Sequence, residues 1–281
     1  FKFKIIYEKN DYYPFSSFLF AVMAHSQVLA KGPEEVYNAD SIRAILDKSP
    51  YFTLFKDNYF IGGIPIATSY GEKLDVKFQL SIAQRLTKSK LPFDTYLFLQ
   101  YTQKAFWNVF QESLPMRDLN FNPGIGLGHL IVHKNKYIGK GYLMVEHESN
   151  GKDSIFSRSW NKITLAAAVL LNELGSSIQG LDTDRDGKEN KDILKYNGIF
   201  QVAAITGQTT GALTAGYLDQ TKDLFSFNTQ IELSYKFNNN ENQYFFLQYY
   251  NGYGENLLEY NQYKSMLRIG FVIKPQDFSI Y

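Results

Sequence analysis

From Phe52 onward, apolar and polar residues alternate along the chain with a period of two. In residues 76–83, valine, phenylalanine, leucine and isoleucine alternate with lysine, glutamine, serine and alanine. Successive side chains of a strand point to opposite faces, so this pattern predicts strands with one apolar and one polar face. Further strands are predicted at residues 52–66, 96–104, 124–132, 137–145, 160–171, 176–181, 194–205, 210–218, 229–237, 244–250 and 265–274.

These ten to twelve predicted strands are joined as hairpins. The links alternate between short turns, such as Asn238–Asn240, and longer polar loops, such as Asp182–Asp192. Closing such a sheet on itself removes exposed strand edges. The pattern therefore predicts an all-β fold, a closed antiparallel barrel, with its apolar faces outward.

The N-terminal residues follow a different pattern. Basic residues up to Lys9 precede a short apolar stretch, and small residues follow near Ala30. This order is typical of a secretory signal, so we expect a leader at 1–30 and a single barrel domain at 31–281; a short buried helix is the alternative reading of 1–30. Residues 34–50 have helical or irregular character and predict a short plug or clasp that ends at Pro50.

Composition favours an outer-membrane protein. The 29 basic and 28 acidic residues leave a net charge of +1, which gives no reason to expect a nucleic-acid partner. No apolar run approaches the roughly 20 residues of a transmembrane helix. Aromatic residues reach 16%, with 21 Tyr and 23 Phe, as expected for the aromatic girdles of an outer-membrane barrel. The chain has no Cys, which excludes thiolate and disulfide chemistry.

Three polar residues continue the apolar stripes of two neighbouring predicted strands. His147 and Ser149 follow Leu143 and Val145 on one face, and Asn161 precedes the stripe that begins at Ile163. A serine needs an adjacent base to become a nucleophile, and His147 can supply one. Asn161, 14 residues on, can return across a hairpin to accept the ring N–H of His147. On a membrane barrel this trio would face outward at the membrane surface.

The motifs around these residues resemble outer-membrane phospholipase A. The segments 147–151 (HESNG) and 157–161 (SRSWN) carry the resemblance, and 75–81, 101–104 and 250–255 are similar to further family segments in matching order. The resemblance covers about residues 36–275. It implies a 12-stranded transmembrane barrel in the outer membrane of a Gram-negative bacterium. The resemblance also implies that this barrel hydrolyses phospholipid acyl esters as a calcium-dependent homodimer.

The resemblance also implies catalytic roles. Ser149 would be the nucleophile, His147 the base and Asn161 the residue that orients it. The backbone N–H of Gly151 would stabilise the oxyanion, together with a calcium-bound water. Gln103 would pair with its counterpart across the dimer interface; a residue at the rim that hydrogen-bonds water is the alternative.

The implied calcium ligands are the hydroxyl of Ser157, the carbonyl of Lys152 and a carbonyl from the partner subunit at the position of Ser113. The chain departs from the family pattern in two places. Lys152 replaces an arginine, which is harmless if only its carbonyl binds. Asp153-Ser154 reverses the usual order of serine and aspartate, which moves the carboxylate that the family pattern gives to a second calcium site.

Other acidic and histidine residues give weaker signals. Residues 182–187 (DTDRDG) resemble the start of an EF-hand loop, but Ile193 stands where a bidentate Glu belongs. They predict a solvated acidic loop, with an auxiliary calcium role for Asp184 or Glu189 as the alternative. His129 and His133 have no carboxylate at metal-site spacing and are interpreted as girdle or loop residues.

Two rival functions predict different properties. A non-catalytic outer-membrane barrel, such as a small porin or adhesin carrier, predicts a water-filled lumen. A soluble β-sandwich esterase would need the apolar stripes to pair into two sheets.

Overall fold

The structure is a computed structural model, and it describes a helix followed by a single antiparallel sheet. The described residues are 39–66, 74–133, 136–171, 174–179, 182–183, 197–206, 209–218, 227–237 and 242–275. The expected leader at 1–30 lies outside them. The elements are α1 (Ala39–Lys48), β1 (Phe52–Leu54), β2 (Asn58–Pro65), β3 (Asp75–Arg85), β4 (Tyr96–Trp107), β5 (Met116–His133), β6 (Lys136–Ser149), β7 (Ser159–Leu171), β8 (Leu174–Gln179), β9 (Asp182–Thr183), β10 (Asn197–Thr206), β11 (Thr209–Leu218), β12 (Phe227–Lys236), β13 (Gln243–Gly252) and β14 (Lys264–Ile273).

Almost every strand pairs with its neighbour in the chain. The order runs β1-β3-β2-β14-β13-β12-β11-β10-β8-β7-β6-β5-β4. The short strand β9 pairs with β7, and β3 pairs with β4 as well as with β2. The predicted antiparallel all-β fold is thus confirmed.

The two faces of the sheet have the predicted character. Apolar side chains on the outer face are exposed, among them Leu80, Leu143 and Leu165. Polar side chains on the inner face are buried, including Lys77 and Arg268 at 3% and 1% exposure. This is the inverse of a soluble protein, in which burial of apolar surface drives folding.

Several strand boundaries differ from the sequence prediction. The segment 52–66 divides into β1 and β2, because the backbone leaves the ladder at Phe55–Asp57, where the Lys56 N–H donates to the Ser81 hydroxyl at 3.1 Å. β5 begins at Met116 instead of 124. Its first residues include Asp118 and Asn120, whose polar side chains interrupt the alternation of apolar and polar residues in the sequence. Both side chains are hydrogen-bonded on the inner face. Part of the predicted acidic loop, Asp182–Thr183, pairs with β7.

The helix α1 lies against the end of the sheet opposite the β6–β7 loop. The Arg85 guanidinium donates to the Leu46 carbonyl at 2.5 Å and to the Ser49 carbonyl at 3.0 Å. Leu46 also packs against the inner aromatic cluster that contains Phe98 and Tyr142. These contacts fit the predicted plug or clasp. The described residues contain no helix with the length and apolar character needed to span a membrane.

Candidate active site

The β6–β7 hairpin brings the three predicted catalytic residues to one end of the outer face. His147 lies directly opposite Asn161, and Ser149 lies opposite Ser159. On its other side Ser149 is opposite Phe121 of β5. His147, Ser149 and Asn161 therefore share the outer face with the exposed side chains of Val145 and Ile163.

His147 and Asn161 are in direct contact. The Nδ1 atom of His147 lies 2.9 Å from the Oδ1 atom of Asn161. An amide oxygen can only accept a hydrogen bond, so Nδ1 must carry the hydrogen in this contact. That tautomer leaves Nε2 without a hydrogen, free to accept the proton of a nucleophile.

The loop after Ser149 is organised by one buried amide. The Asn150 side chain donates from Nδ2 to the Phe156 carbonyl at 2.9 Å, and its Oδ1 accepts the N–H of Arg158 at 2.9 Å. The Asn150 N–H also donates to the Arg158 carbonyl at 3.0 Å. These bonds hold residues 150–158 as a compact loop around the short 3₁₀ turn Ser154–Phe156.

Gly151 takes a backbone conformation that suits glycine. Its φ is +63°, in the left-handed region. A Cβ at this position would lie 3.0 Å from Cε2 of Phe121, so the ring also limits the space. Gly151 follows Ser149 by two residues and lies in the loop that Asn150 organises.

A cleft adjoins this loop. It has a volume of about 450 Å³ and is lined by Gly151, Lys152, Asp153, Phe156 and Leu258. Leu258 belongs to the β13–β14 loop, whose backbone is held by β5: the Leu258 N–H donates to Asp118 at 2.9 Å and the Leu257 N–H donates to Asn120 at 3.2 Å. The cleft is thus built from two loops at the same end of the sheet.

The residues implied as calcium ligands lie on two loops. Ser157 ends the 3₁₀ turn and is half-buried, and its carbonyl accepts a bond from the Arg158 guanidinium at 2.7 Å. The Lys152 ammonium donates to the Arg117 carbonyl at 2.9 Å. Ser113 is exposed on the β4–β5 loop with φ +65°.

The residues implied as calcium ligands would bind the ion through hydroxyl and carbonyl oxygens, without a carboxylate. In the described part of the chain no group of three or more His, Asp or Glu side chains could hold a metal ion. The Lys152 ammonium donates to the Arg117 carbonyl. The Ser157 hydroxyl and the Lys152 carbonyl are hard, neutral oxygens of the kind that calcium accepts. The donor set therefore fits calcium, with water needed to complete the coordination.

Sequence reasoning missed an ion-pair network on the inner face. The Arg268 guanidinium is bidentate to Asp75, with both contacts at 2.9 Å, and contacts Glu255 at 2.6 and 3.1 Å. Lys77 donates to the same Glu255 at 3.0 Å. The only signal in the sequence was charged residues at inward positions, which does not identify their partners.

Glu255 is the member of this network that lies in a loop. Burial alone would raise the pKa of its carboxyl group, but Arg268 and Lys77 outweigh burial and lower the pKa from 4.5 to about 2. Glu255 therefore stays ionised and ties the β13–β14 loop to the inner face.

The remaining predicted residues either lie on strands of the sheet or fall outside the residues that the structure describes. Gln103 is half-buried on the outer face, and its Oε1 accepts a bond from the Tyr101 hydroxyl at 3.1 Å. His129 and His133 lie on β5, in a strand and not in a loop. Asp184 and Glu189 fall outside the described residues.

Comparison with known proteins identifies the family. Residues 61–273 match the phospholipase A1 family. Phospholipase A1 of Escherichia coli (strain K12) is 30% identical over 216 residues, which cover 72% of this chain and 70% of that protein. A putative phospholipase A1 of Neisseria meningitidis is 26% identical over 227 residues, which cover 73% and 55% of the two chains.

Solved structures show the same fold. Outer membrane phospholipase A from Escherichia coli has a TM-score of 0.70 at 22% identity, covering 80% of this chain and 99% of that one. The Salmonella typhi outer membrane phospholipase dimer with bound calcium has a TM-score of 0.71 at 23% identity, covering 85% and 98%. The chain therefore belongs to the phospholipase A1 family, and it is an outer-membrane β-barrel enzyme.

Proposed function

We propose that this protein hydrolyses the acyl esters of phospholipids at the membrane surface with the triad Ser149, His147 and Asn161. The contact of 2.9 Å between His147 and Asn161, on the outer face and next to Ser149, is the observation that supports this most directly. A base with a fixed tautomer beside a serine is the arrangement that activates a hydroxyl nucleophile. Here the arrangement faces the lipid, so the substrate reaches it from the membrane.

The proposed reaction has two steps. The Oγ atom of Ser149 attacks the acyl carbonyl carbon while Nε2 of His147 takes the hydroxyl proton. The same proton passes to the glycerol oxygen as the carbon–oxygen bond breaks and lysophospholipid leaves. A water molecule, deprotonated by His147, then attacks the acyl-enzyme carbonyl. His147 returns this proton to the Oγ atom of Ser149 as the acyl–oxygen bond breaks and the fatty acid leaves.

Gly151 would stabilise the negative oxygen that develops in both steps. Gly151 lies in the loop that Asn150 organises, so its backbone N–H would need little reorganisation during the reaction. Calcium bound by the Ser157 hydroxyl, the Lys152 carbonyl and a carbonyl at Ser113 of the partner subunit would add positive charge beside this oxygen. The Salmonella typhi outer membrane phospholipase, solved as a dimer with bound calcium, supports a role for calcium in this proposal.

We further propose that the twelve longer strands form one closed transmembrane barrel. Two copies of this barrel would form the active homodimer. Pairing of β3 with both β2 and β4 supports closure. The exposed apolar outer face supports membrane insertion. Gln103 would bond across the dimer interface, because an amide in lipid needs a partner. Cross-linking in micelles with calcium and with chelator tests the dimer.

The rival functions find less support. A porin needs a water-filled lumen, whereas the inner face carries the buried Asp75–Arg268–Glu255–Lys77 network. A soluble sandwich would bury its apolar stripes between two sheets, but here they lie on the exposed face of one sheet.

The test is fatty-acid release from mixed detergent–phospholipid micelles. Wild type and Ser149→Ala are compared with calcium and with chelator, after the folded state of each is verified by its resistance to protease. Release that requires both calcium and Ser149 is the expected result.

Two other results would change the proposal. Release that persists in chelator would retain the triad and reject the calcium role. Full release by folded Ser149→Ala, or none by folded wild-type dimer with calcium, would overturn the catalytic assignment.

A further inference from the structure

The inner face of the β6–β7 hairpin carries a cluster directly behind the candidate triad. Glu148 lies opposite Trp160, in the rung between the His147–Asn161 and Ser149–Ser159 pairs. The two outward rungs and this inward rung alternate along the same two strands. The inner pair therefore shares its backbone with the catalytic pair.

The cluster consists of Glu148, Trp160 and Lys162, which bind one another tightly. The Trp160 indole Nε1 donates to Oε2 of Glu148 at 2.9 Å, and the Lys162 ammonium lies 2.7 Å from the same oxygen. The ammonium also lies 4.8 Å from the centre of the Trp160 ring. Trp160 and Glu148 are only 6% and 8% exposed, so solvent competes little for these contacts.

The β13–β14 loop supports the cluster from the other side. Trp160 forms a buried apolar cluster with Leu257, and the partly buried rings of Tyr253 and Tyr260 pack against it. The Arg158 guanidinium lies 5.7 Å from the centre of the Tyr260 ring. The indole is thus held by the hydrogen bond to Glu148 and by apolar packing.

Besides β6, the structure describes two strands that pair with β7. β8 pairs only with residues 166–171 of β7, and the two-residue β9 pairs with Asn161 and Lys162. Within the described part of the chain, residues 159, 160 and 163–165 have a ladder partner on β6 alone. Side-chain contacts on the inner face add to the β6–β7 ladder in holding this end of β7 at the distance and twist at which Asn161 meets His147.

We propose that Trp160, bound to Glu148, is a positioning residue for the His147–Asn161 pair. The inference rests on the proposed catalytic function and assigns a role to residues that face away from the substrate. Because they lie on the inner face, they can act only through the backbone of their neighbours. Loss of the indole hydrogen bond should loosen the orientation of Asn161 without changing the binding of lipid.

The test uses Trp160→Phe, which keeps a ring against Leu257 but removes the Nε1 donor. Thr164→Val is the matched control, because Thr164 donates to Glu146 in a neighbouring inward rung of the same hairpin. We expect Trp160→Phe to lower kcat about tenfold with little change in KM. Thr164→Val should keep kcat within about twofold.

A double variant separates positioning from loss of stability. If Trp160 acts through Asn161, Trp160→Phe should have almost no further effect on kcat in an Asn161→Ala background. Glu148→Gln, which keeps an oxygen acceptor for the indole, should retain more activity than Trp160→Phe.

The outcomes distinguish this proposal from the catalytic one. An equal loss from Trp160→Phe with and without Asn161, a loss confined to KM, or no loss at all would overturn the positioning role. Wild-type protein that releases no fatty acid, or Ser149→Ala that retains release, would instead overturn the catalytic function on which it rests.

Discussion

Asn161 Oδ1 lies 2.9 Å from His147 Nδ1 across a directly opposed pair of β6 and β7. The opposed register places the two side chains on the same face without a kink or bulge. An amide oxygen can orient the imidazole ring, but it carries no charge to stabilise the imidazolium that forms when His147 takes a proton. In the proposed triad, Asn161 would therefore orient the base without adding a charge to stabilise it.

The first prediction concerns this contact. Asn161→Ala should lower kcat roughly 10- to 100-fold and leave measurable hydrolysis, because the ring of His147 can still visit the productive orientation. The measurement is the rate of fatty-acid release in calcium, compared with folded Ser149→Ala as the background. Activity of Asn161→Ala equal to that background, or equal to wild type, would contradict an orienting role.

The sequence was sufficient to predict the faces of the strands near the site. A period of two places His147 and Ser149 with Val145, and the hairpin returns Asn161, 14 positions after His147, to the same face. Both inferences depend only on local geometry. Local geometry does not predict the polar start of β5, because Asp118 and Asn120 point inward and are bonded to the distant residues Leu258 and Leu257.

The ion pairs of the inner face could not be predicted in this way. Asp75 and Arg268 are 193 positions apart, and their contact depends on the registers in which β2 pairs with β14 and with β3. Alternation shows only that each residue points inward. The left-handed backbone of Gly151 was equally invisible, because a glycine in a motif does not reveal its φ.

Gly151 leads to the second prediction. Gly151→Ala should reduce kcat about 100-fold, because a φ of +63° and the Phe121 ring 3.0 Å from the new Cβ would displace the N–H that binds the oxyanion. Gly254→Ala is the control, since Gly254 has a φ of +72° in the β13–β14 loop. Equal losses of activity in the two folded variants would point to general backbone strain instead.

The third prediction separates the Ser157 hydroxyl from the Lys152 side chain. Ser157→Ala should raise the calcium concentration for half-maximal activity about tenfold or more, because it removes an oxygen ligand. Lys152→Met should change it less than about threefold, because the Lys152 ammonium binds the Arg117 carbonyl and only its own carbonyl faces calcium in the proposal. Fatty-acid release at buffered free-calcium concentrations measures both. A shift of the same size in both variants would show that charge near the loop, and not the hydroxyl, sets calcium affinity.

The fourth prediction concerns Glu255 and acid. Glu255→Gln leaves the buried Lys77 ammonium without its carboxylate and should lower the free energy of unfolding by about 3 kcal/mol at neutral pH. The pKa of Glu255 is lowered from 4.5 to about 2 in the folded protein, so its ion pairs stabilise the fold above pH 4.5. That contribution is lost as the pH falls from 4.5 toward 2.

Denaturant unfolding in micelles at a series of pH values, followed by tryptophan fluorescence, measures this dependence. Wild type should lose stability between pH 4.5 and 2, and Glu255→Gln should lose less over the same interval because one linked carboxylate is gone. Glu259→Gln is the matched control in the same loop, since its contacts with Arg117 and Lys264 are longer, at 3.4 and 3.5 Å, and more exposed. If Glu255→Gln keeps the wild-type slope below pH 4.5, the acid sensitivity must come from other carboxylates, and Glu255 would then not be the residue that ties the β13–β14 loop to the inner face.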